Sequence, residues 1–72
     1  MNSDQLNKLH EIKDNGHLVF IKFDGARSKN QITTFIDFPE NPGQHIIRVN
    51  GDDLESVLDE LFLKYDSRDF FR

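Results

Sequence analysis

Cysteine is absent from the 72-residue chain. Neither a disulfide framework nor a thiolate metal site can staple it, so a packed apolar core or an oligomer interface must stabilise the fold. The absence also fits a reducing compartment. Long hydrophobic runs are missing too. The longest, Leu18 to Ile21, is far too short to cross a membrane. The N-terminus is polar and carries Asp4, which does not read as a signal peptide. The expectation is a cytoplasmic protein with no membrane partner. Positive charge is scarce: nine Lys and Arg face thirteen Asp and Glu, a formal net charge of −4. That balance argues against binding nucleic acid by bulk electrostatics.

Catalytic signatures are equally scarce. There is no Gly-rich phosphate loop, no GxSxG elbow and no HExxH pair. His10, His17 and His45 are well separated and have no obvious third ligand, so they read as two surface histidines and one at a strand edge. Asp52, Asp53 and Glu55 form an acidic cluster without a 12-residue calcium loop around it, and helix capping is their expected role. Nothing pairs a hydroxyl nucleophile with a base, and Asp24 beside Gly25 reads as turn chemistry. The expectation is a protein that is not an enzyme, with no cofactor, no metal and no small-molecule substrate.

What is present is organised around Gly51 to Tyr65. Leu54, Val57, Leu58, Leu61, Phe62 and Tyr65 recur at helical spacing, while Asp53, Glu55, Asp59 and Glu60 lie off that stripe. Asp52 is the expected cap, with Glu55 three residues on. An earlier helix is predicted over residues 3–15, capped by Ser3 and stopped by Asn15-Gly16. Its apolar stripe is Leu6, Leu9 and Ile12. Three strands lie between the helices. His17 to Asp24 places Val19, Ile21 and Phe23 on one face and Leu18, Phe20 and Lys22 on the other. Apolar on both faces at its start, it reads as a central strand or one whose outer face is also covered. Gln31 to Phe38 and Gln44 to Asn50 are the second and third strands, separated by a Pro39 to Gly43 break in which Pro42-Gly43 suits a type II turn.

Short connections favour an antiparallel meander, and single apolar stripes place both helices on one face of it. The fold class is therefore α+β, an αβββα chain with a three-stranded antiparallel meander. Residues 1–72 form one compact domain, with 67–72 as a candidate flexible tail. The expected core is Val19, Ile21, Phe23, Ile32, Ile36, Phe38, Ile47 and Val49 from the sheet. The helices add Leu6, Leu9, Ile12, Leu54, Val57, Leu58, Leu61, Phe62 and Tyr65.

The other sheet face then carries Leu18, Phe20, Phe35 and Ile46, surrounded by Lys22, Thr33, Asp37 and Arg48. If residues 24 and 31 close the first hairpin, Phe20 sits directly across from Phe35. A one-residue slip of the third strand would exchange Ile46 for Ile47. Three readings compete for this patch: cover by the Phe70-Phe71 tail, docking of a partner protein or a second copy in a homodimer, and stacking of single-stranded bases between Lys22, Arg27, Lys29 and Arg48. Helix, three strands, helix is also the element order of the double-stranded-RNA-binding domain, which it resembles in order alone. That family calls for lysines at the start of the last helix, where this chain has Gly51-Asp52-Asp53-Leu54-Glu55. The acidic face of Asp52, Asp53, Glu55, Asp59 and Glu60, with Leu63 standing among the acids, instead offers negative charge to a basic partner, as inhibitors and immunity proteins do. The favoured expectation is a small bacterial or phage-type protein-interaction module. It would act as an inhibitor, immunity or regulatory protein through the outer sheet face, the acidic helix, or both. A nucleic-acid-binding module is the alternative.

Overall fold

The computed structural model describes residues 1–40 and 46–68. It consists of helix α1 (Ser3–Asp14), strands β1 (Leu18–Phe23), β2 (Ile32–Asp37) and β3 (Ile46–Gly51), and helix α2 (Leu54–Asp66). The strands form one antiparallel sheet in the order β1-β2-β3. This is the expected αβββα arrangement of an α+β domain. The Pro42-Gly43 turn, His45 and the Phe70-Phe71 pair lie outside the described residues.

Each helix is capped one residue away from where the sequence pattern puts the cap. Asn2, not Ser3, begins α1. Its side chain accepts from the Gln5 amide at 2.8 Å, and the Gln5 side chain accepts from the Asn2 amide at 3.1 Å. The reciprocal box needs Glu or Gln three residues after the cap, and Gln5 stands in that relation to Asn2, whereas Leu6 stands in it to Ser3. Asp53, not Asp52, begins α2, accepting from the Ser56 amide at 2.9 Å and the Ser56 hydroxyl at 2.7 Å. The apolar stripe starts at Leu54, so the cap falls on the residue just before it. Asp52 accepts instead from the Gln31 amide at 3.1 Å and ties the first hairpin loop to the start of α2.

The Asn15-Gly16 stop behaves as expected. Gly16 adopts φ +85°, its amide donates to the Lys13 carbonyl, and the His17 amide donates to the Ile12 carbonyl. The paired bonds are those of a Schellman motif, which needs a left-handed residue where Gly16 stands.

Both helices lie on the same side of the sheet. α2 packs across β3 and β2, and α1 packs on β1 and against α2. Ile32, Ile36, Phe38, Ile47 and Val49 meet Ile12, Val57, Leu58, Leu61, Phe62 and Tyr65 in the core. Leu6 and Phe23 depart from the expected core: they are 48% and 67% exposed. Leu9, Val19, Ile21 and Leu54 are only partly buried. α1 is rotated so that Gln5 rather than Leu6 faces α2. The buried Gln5 amide group donates to the Glu55 carbonyl and to Asp59 Oδ1, both at 3.1 Å. Lys8 next along that face reaches Asp66 at 2.6 Å and Glu11 at 3.0 Å. The hydrogen bond to Asp66, set against some desolvation, raises the Lys8 ammonium above its ordinary value.

The meander settles where β1 stands. A strand apolar on both faces reads as central or as one whose outer face is also covered; β1 is at an edge and β2 is the central strand, as the meander requires. A meander of three strands places the middle one in sequence in the middle of the sheet, whatever its neighbours' composition.

Gly51 ends β3 on the helix-facing side, where a Cβ would come within 2.6 Å of Val57 Cγ2. Gly51→Ala should therefore force α2 away from β3 and cost about 1–3 kcal/mol. Urea denaturation would register this as a lower midpoint. An unchanged midpoint would show that Val57 moves aside freely.

Candidate functional site

Pairing places the expected outer-face residues in three rows across β1, β2 and β3. The rows are Leu18, Asp37 and Ile46, then Phe20, Phe35 and Arg48, then Lys22, Thr33 and Asn50. The register is the one that puts Ile46 outside, 57% exposed, and Ile47 in the core. Phe20 and Phe35 stack with ring centroids 4.5 Å apart and planes 19° from parallel. Leu18 and Phe20 are each 45% exposed, and Phe35 between its neighbours is half-buried. No described helix packs on this face. Arg48 lies exposed beside Phe35, and Lys22 is held loosely by Asp24 at 3.9 Å. The sheet thus brings Leu18, Phe20, Lys22, Phe35, Ile46 and Arg48 into one surface: an apolar strip with Arg48 at the end of its middle row, Lys22 at one corner and Asp37 between Leu18 and Ile46.

The acidic residues of α2 do not join this surface. α2 covers the opposite face of the sheet, so its solvent side points away from the aromatic strip. Several of its acids have partners within the chain. Asp53 is the N-cap, Asp52 holds the Gln31 amide, and Asp59 accepts from Gln5. Glu60 pairs with Lys64 at 3.3 Å, and Glu55 lies 3.7 Å from the N-terminal ammonium. Leu63 is 68% exposed, as the spacing implies.

His17 is the residue whose setting the sequence pattern misplaces. It is buried rather than on the surface. Its Nε2 lies 2.9 Å from Glu40 Oε1 and its Nδ1 lies 2.7 Å from Tyr65 Oη. A carboxylate only accepts, so Nε2 carries a hydrogen. In the neutral ring, Nδ1 then accepts from the Tyr65 hydroxyl. Asn15 Nδ2 donates to the same hydroxyl at 3.0 Å. Phe38 stacks on Tyr65 at 6.1 Å and meets the edge of His17 at 4.6 Å. The Arg68 guanidinium lies 3.9 Å over the Tyr65 ring. The end of α1, the start of β1, the end of β2 and the end of α2 meet here. Tyr65 is almost fully buried, so the cluster acts as a clamp rather than an accessible site. Glu40 lies 23 residues from His17, and no motif in the sequence links them. His10 is exposed. Among the described residues no three His, Asp or Glu side chains converge as metal ligands would.

No family model, curated protein or solved structure matches the chain.

Two tests follow from the clamp and the caps. Tyr65→Phe removes the buried hydroxyl that joins His17 and Asn15. It should cost about 1–3 kcal/mol in denaturant unfolding. A loss below about 0.5 kcal/mol would mean that stacking alone holds the cluster. The second test concerns acid. The Glu40 carboxyl is held below its ordinary value of 4.5, first by a hydrogen bond from its own backbone amide, then by His17 and the charge of Arg68. The Asp53 carboxyl is held below 3.8 by the Ser56 hydroxyl and amide. A lowered carboxyl contributes stability above its unfolded value and loses it as pH falls toward its folded value. Stability should therefore decline below about pH 4.5. Glu40→Gln combined with Asp53→Asn, which keeps a capping oxygen, should flatten that decline.

Proposed function

We propose that this chain is a non-enzymatic interaction module that docks another protein on the outer face of its sheet. The single observation behind the reading is the stacked Phe20–Phe35 pair flanked by exposed Leu18 and Ile46 on a face that no described helix covers. Apolar surface of this kind on a small domain marks an interface, because leaving it wet forfeits burial worth about 25 cal/mol per Å². Lys22 and Arg48 at the rim add electrostatic choice of partner rather than bulk affinity. The acids of α2 form a second, separate surface for a basic partner, with Leu63 as its apolar contact. An inhibitor, immunity or regulatory protein would use surfaces of this type. The cytoplasm is the compartment this reading assumes.

The same strip supports a second reading. Aromatics bordered by Lys22 and Arg48 have the composition of a base-stacking platform. The net charge of −4 counts against it, as does the absence of lysines at the start of α2.

A photoreactive amino acid at position 46 samples the sheet face, and one at position 63 samples α2. Irradiation in the native host should yield a discrete protein adduct from position 46. That adduct should disappear when Phe20→Ser and Phe35→Ser are added, a change that costs about 1–2 kcal/mol and leaves the circular dichroism of a folded domain. Adducts from position 63 alone would transfer docking to α2. Micromolar binding of labelled single-stranded RNA at low salt, without any protein adduct, would replace this function by the second reading.

A further inference from the structure

β1 has the sequence of a central strand and the position of an edge strand. The Asp24 amide donates to the Gln31 carbonyl at 2.7 Å. In an antiparallel ladder the backbone groups alternate between the two sides, so Lys22, Phe20 and Leu18 also turn theirs toward β2. The N–H and C=O groups of Val19, Ile21 and Phe23 therefore face outward along the open edge. No described residue donates to or accepts from them. The same three residues carry apolar side chains on the helix side of the sheet. Phe23 stands 67% exposed, while Val19 and Ile21 are only partly covered. Long apolar edges are blunted in most proteins because they invite another strand. Here Lys22 is the only charge within the strand.

A receptor for Phe23 lies on the same chain. α1 contacts β1. Between them runs a groove of about 460 Å³ walled by Leu6, Leu9, His10 and Lys13 on one side and by residues 17–20 on the other. The exposure of Leu6, unexplained by the monomer's core, is exposure to this groove. Knob and groove sit at opposite ends of one strand edge, the arrangement that a two-fold axis through the middle of the strand makes complementary to itself.

We propose that the occupant of this edge is a second copy of the chain, with β1 pairing antiparallel to β1 about Ile21 to give a six-stranded sheet. In this register Ile21 faces Ile21 of the other copy and Val19 faces Phe23. Each such pair exchanges two N–H···O=C bonds, so every outward backbone group of the three residues is satisfied. Phe23 of each copy enters the groove beside Val19 of the other. Neighbouring registers fail on features already described. A shift of one residue sets helix-side chains against outer-face chains. A shift of two toward the strand start sets Phe23 against His17, whose amide is already bound to the Ile12 carbonyl. A shift of two toward the strand end sets Lys22 against Lys22, which repels. The chosen register also brings the Asp24 end of one strand toward Lys13 of the other, opposite in charge.

This inference goes beyond the docking function and does not depend on it. The axis stands perpendicular to the sheet, so the outer faces of both copies remain open on one side. The paired dimer doubles the platform of Phe20 and Phe35 and leaves it free.

Sedimentation of the intact chain should show a monomer–dimer equilibrium with a dissociation constant of about 10–100 µM, the weak class that a small edge interface defines. Phe23→Glu, at an exposed position, should leave a folded chain and weaken dimerisation more than about tenfold. Phe35→Ser, on the central strand away from the edge, should leave dimerisation unchanged while abolishing adducts at position 46. The register has its own test, because the chain has no cysteine to compete. Ile21→Cys puts the only thiol on the axis, where hydrogen-bonded partners have Cα atoms about 5.5 Å apart, inside the range for a disulfide. Mild oxidation should convert it to a disulfide-linked dimer that retains the native circular dichroism. A chain that stays monomeric to about 1 mM overturns the proposal. So does a dimer that Phe23→Glu leaves intact, or one in which Ile21→Cys stays reduced. A dimer lost on Phe35→Ser but kept on Phe23→Glu would belong to the sheet face instead.

Discussion

The apolar stripe of α2 lies across β2 and β3, and Tyr65 at its far end fastens everything else to it. The ring stacks on Phe38, where β2 ends, and its hydroxyl joins Asn15 and His17, where α1 gives way to β1. Arg68 caps the ring from the solvent side and donates to the Tyr65 carbonyl at 2.6 Å. A chain of this length has little core to spare and no disulfide to replace it. One aromatic residue that satisfies polar partners from two elements and packs on a third therefore holds four chain ends in register. The capping interactions act in the same sense at lower energy: Asn2 with Gln5 orients α1, and Asp53 with Ser56 orients α2.

The position of α2 decides what remains bare. Two helices cover one face of three strands, and α2 takes the two strands farther from α1. α1 turns Gln5 and Lys8 toward α2 and packs on β1, with Ile12 buried in the core and Leu9 partly buried against it. Phe23 at the end of β1 then stands exposed, and no described helix packs on the face opposite the helices. The outer strip, the exposed Phe23 and the groove beneath Leu6 are consequences of one shortage: too little helix for the apolar surface that the strands carry. A monomer solves that shortage only in part. The surfaces that remain have directions, an outer face and an edge, and those directions give the interaction readings their geometry.

Periodicity made much of this legible. Spacing of three and four marked α2 and its buried residues, alternation assigned each strand residue to a face, and Gly16 marked the end of α1. The pairing of Phe20 with Phe35 followed from counting outward from residues 24 and 31. The caps fall one residue from the expected positions because acceptable capping residues stand side by side at Asn2-Ser3 and Asp52-Asp53: the reciprocal Gln5 selects Asn2, whereas at α2 the start of the apolar stripe at Leu54 selects Asp53, although Glu55 stands three residues after Asp52. Leu6 and Phe23 stand outside the core although their spacing places them on its side, because hydrophobic periodicity reports which face a side chain is on, not whether anything lies above it. Glu40, His17 and Tyr65 belong to three elements far apart in sequence. No local pattern could join them.

The sequence by itself determined the elements, their order, the meander, and the face on which each strand residue stands. These depend on local backbone preference and on short loops, which act over a few residues. Only the tertiary structure decided that Gln5 rather than Leu6 turns inward, that His17 is buried against Tyr65, and that Phe23 stands exposed at the end of β1. Those outcomes depend on how far α1 and α2 extend over the sheet. That extent is set by the packing of residues some fifty positions apart, such as Gln5 with Glu55 and Lys8 with Asp66.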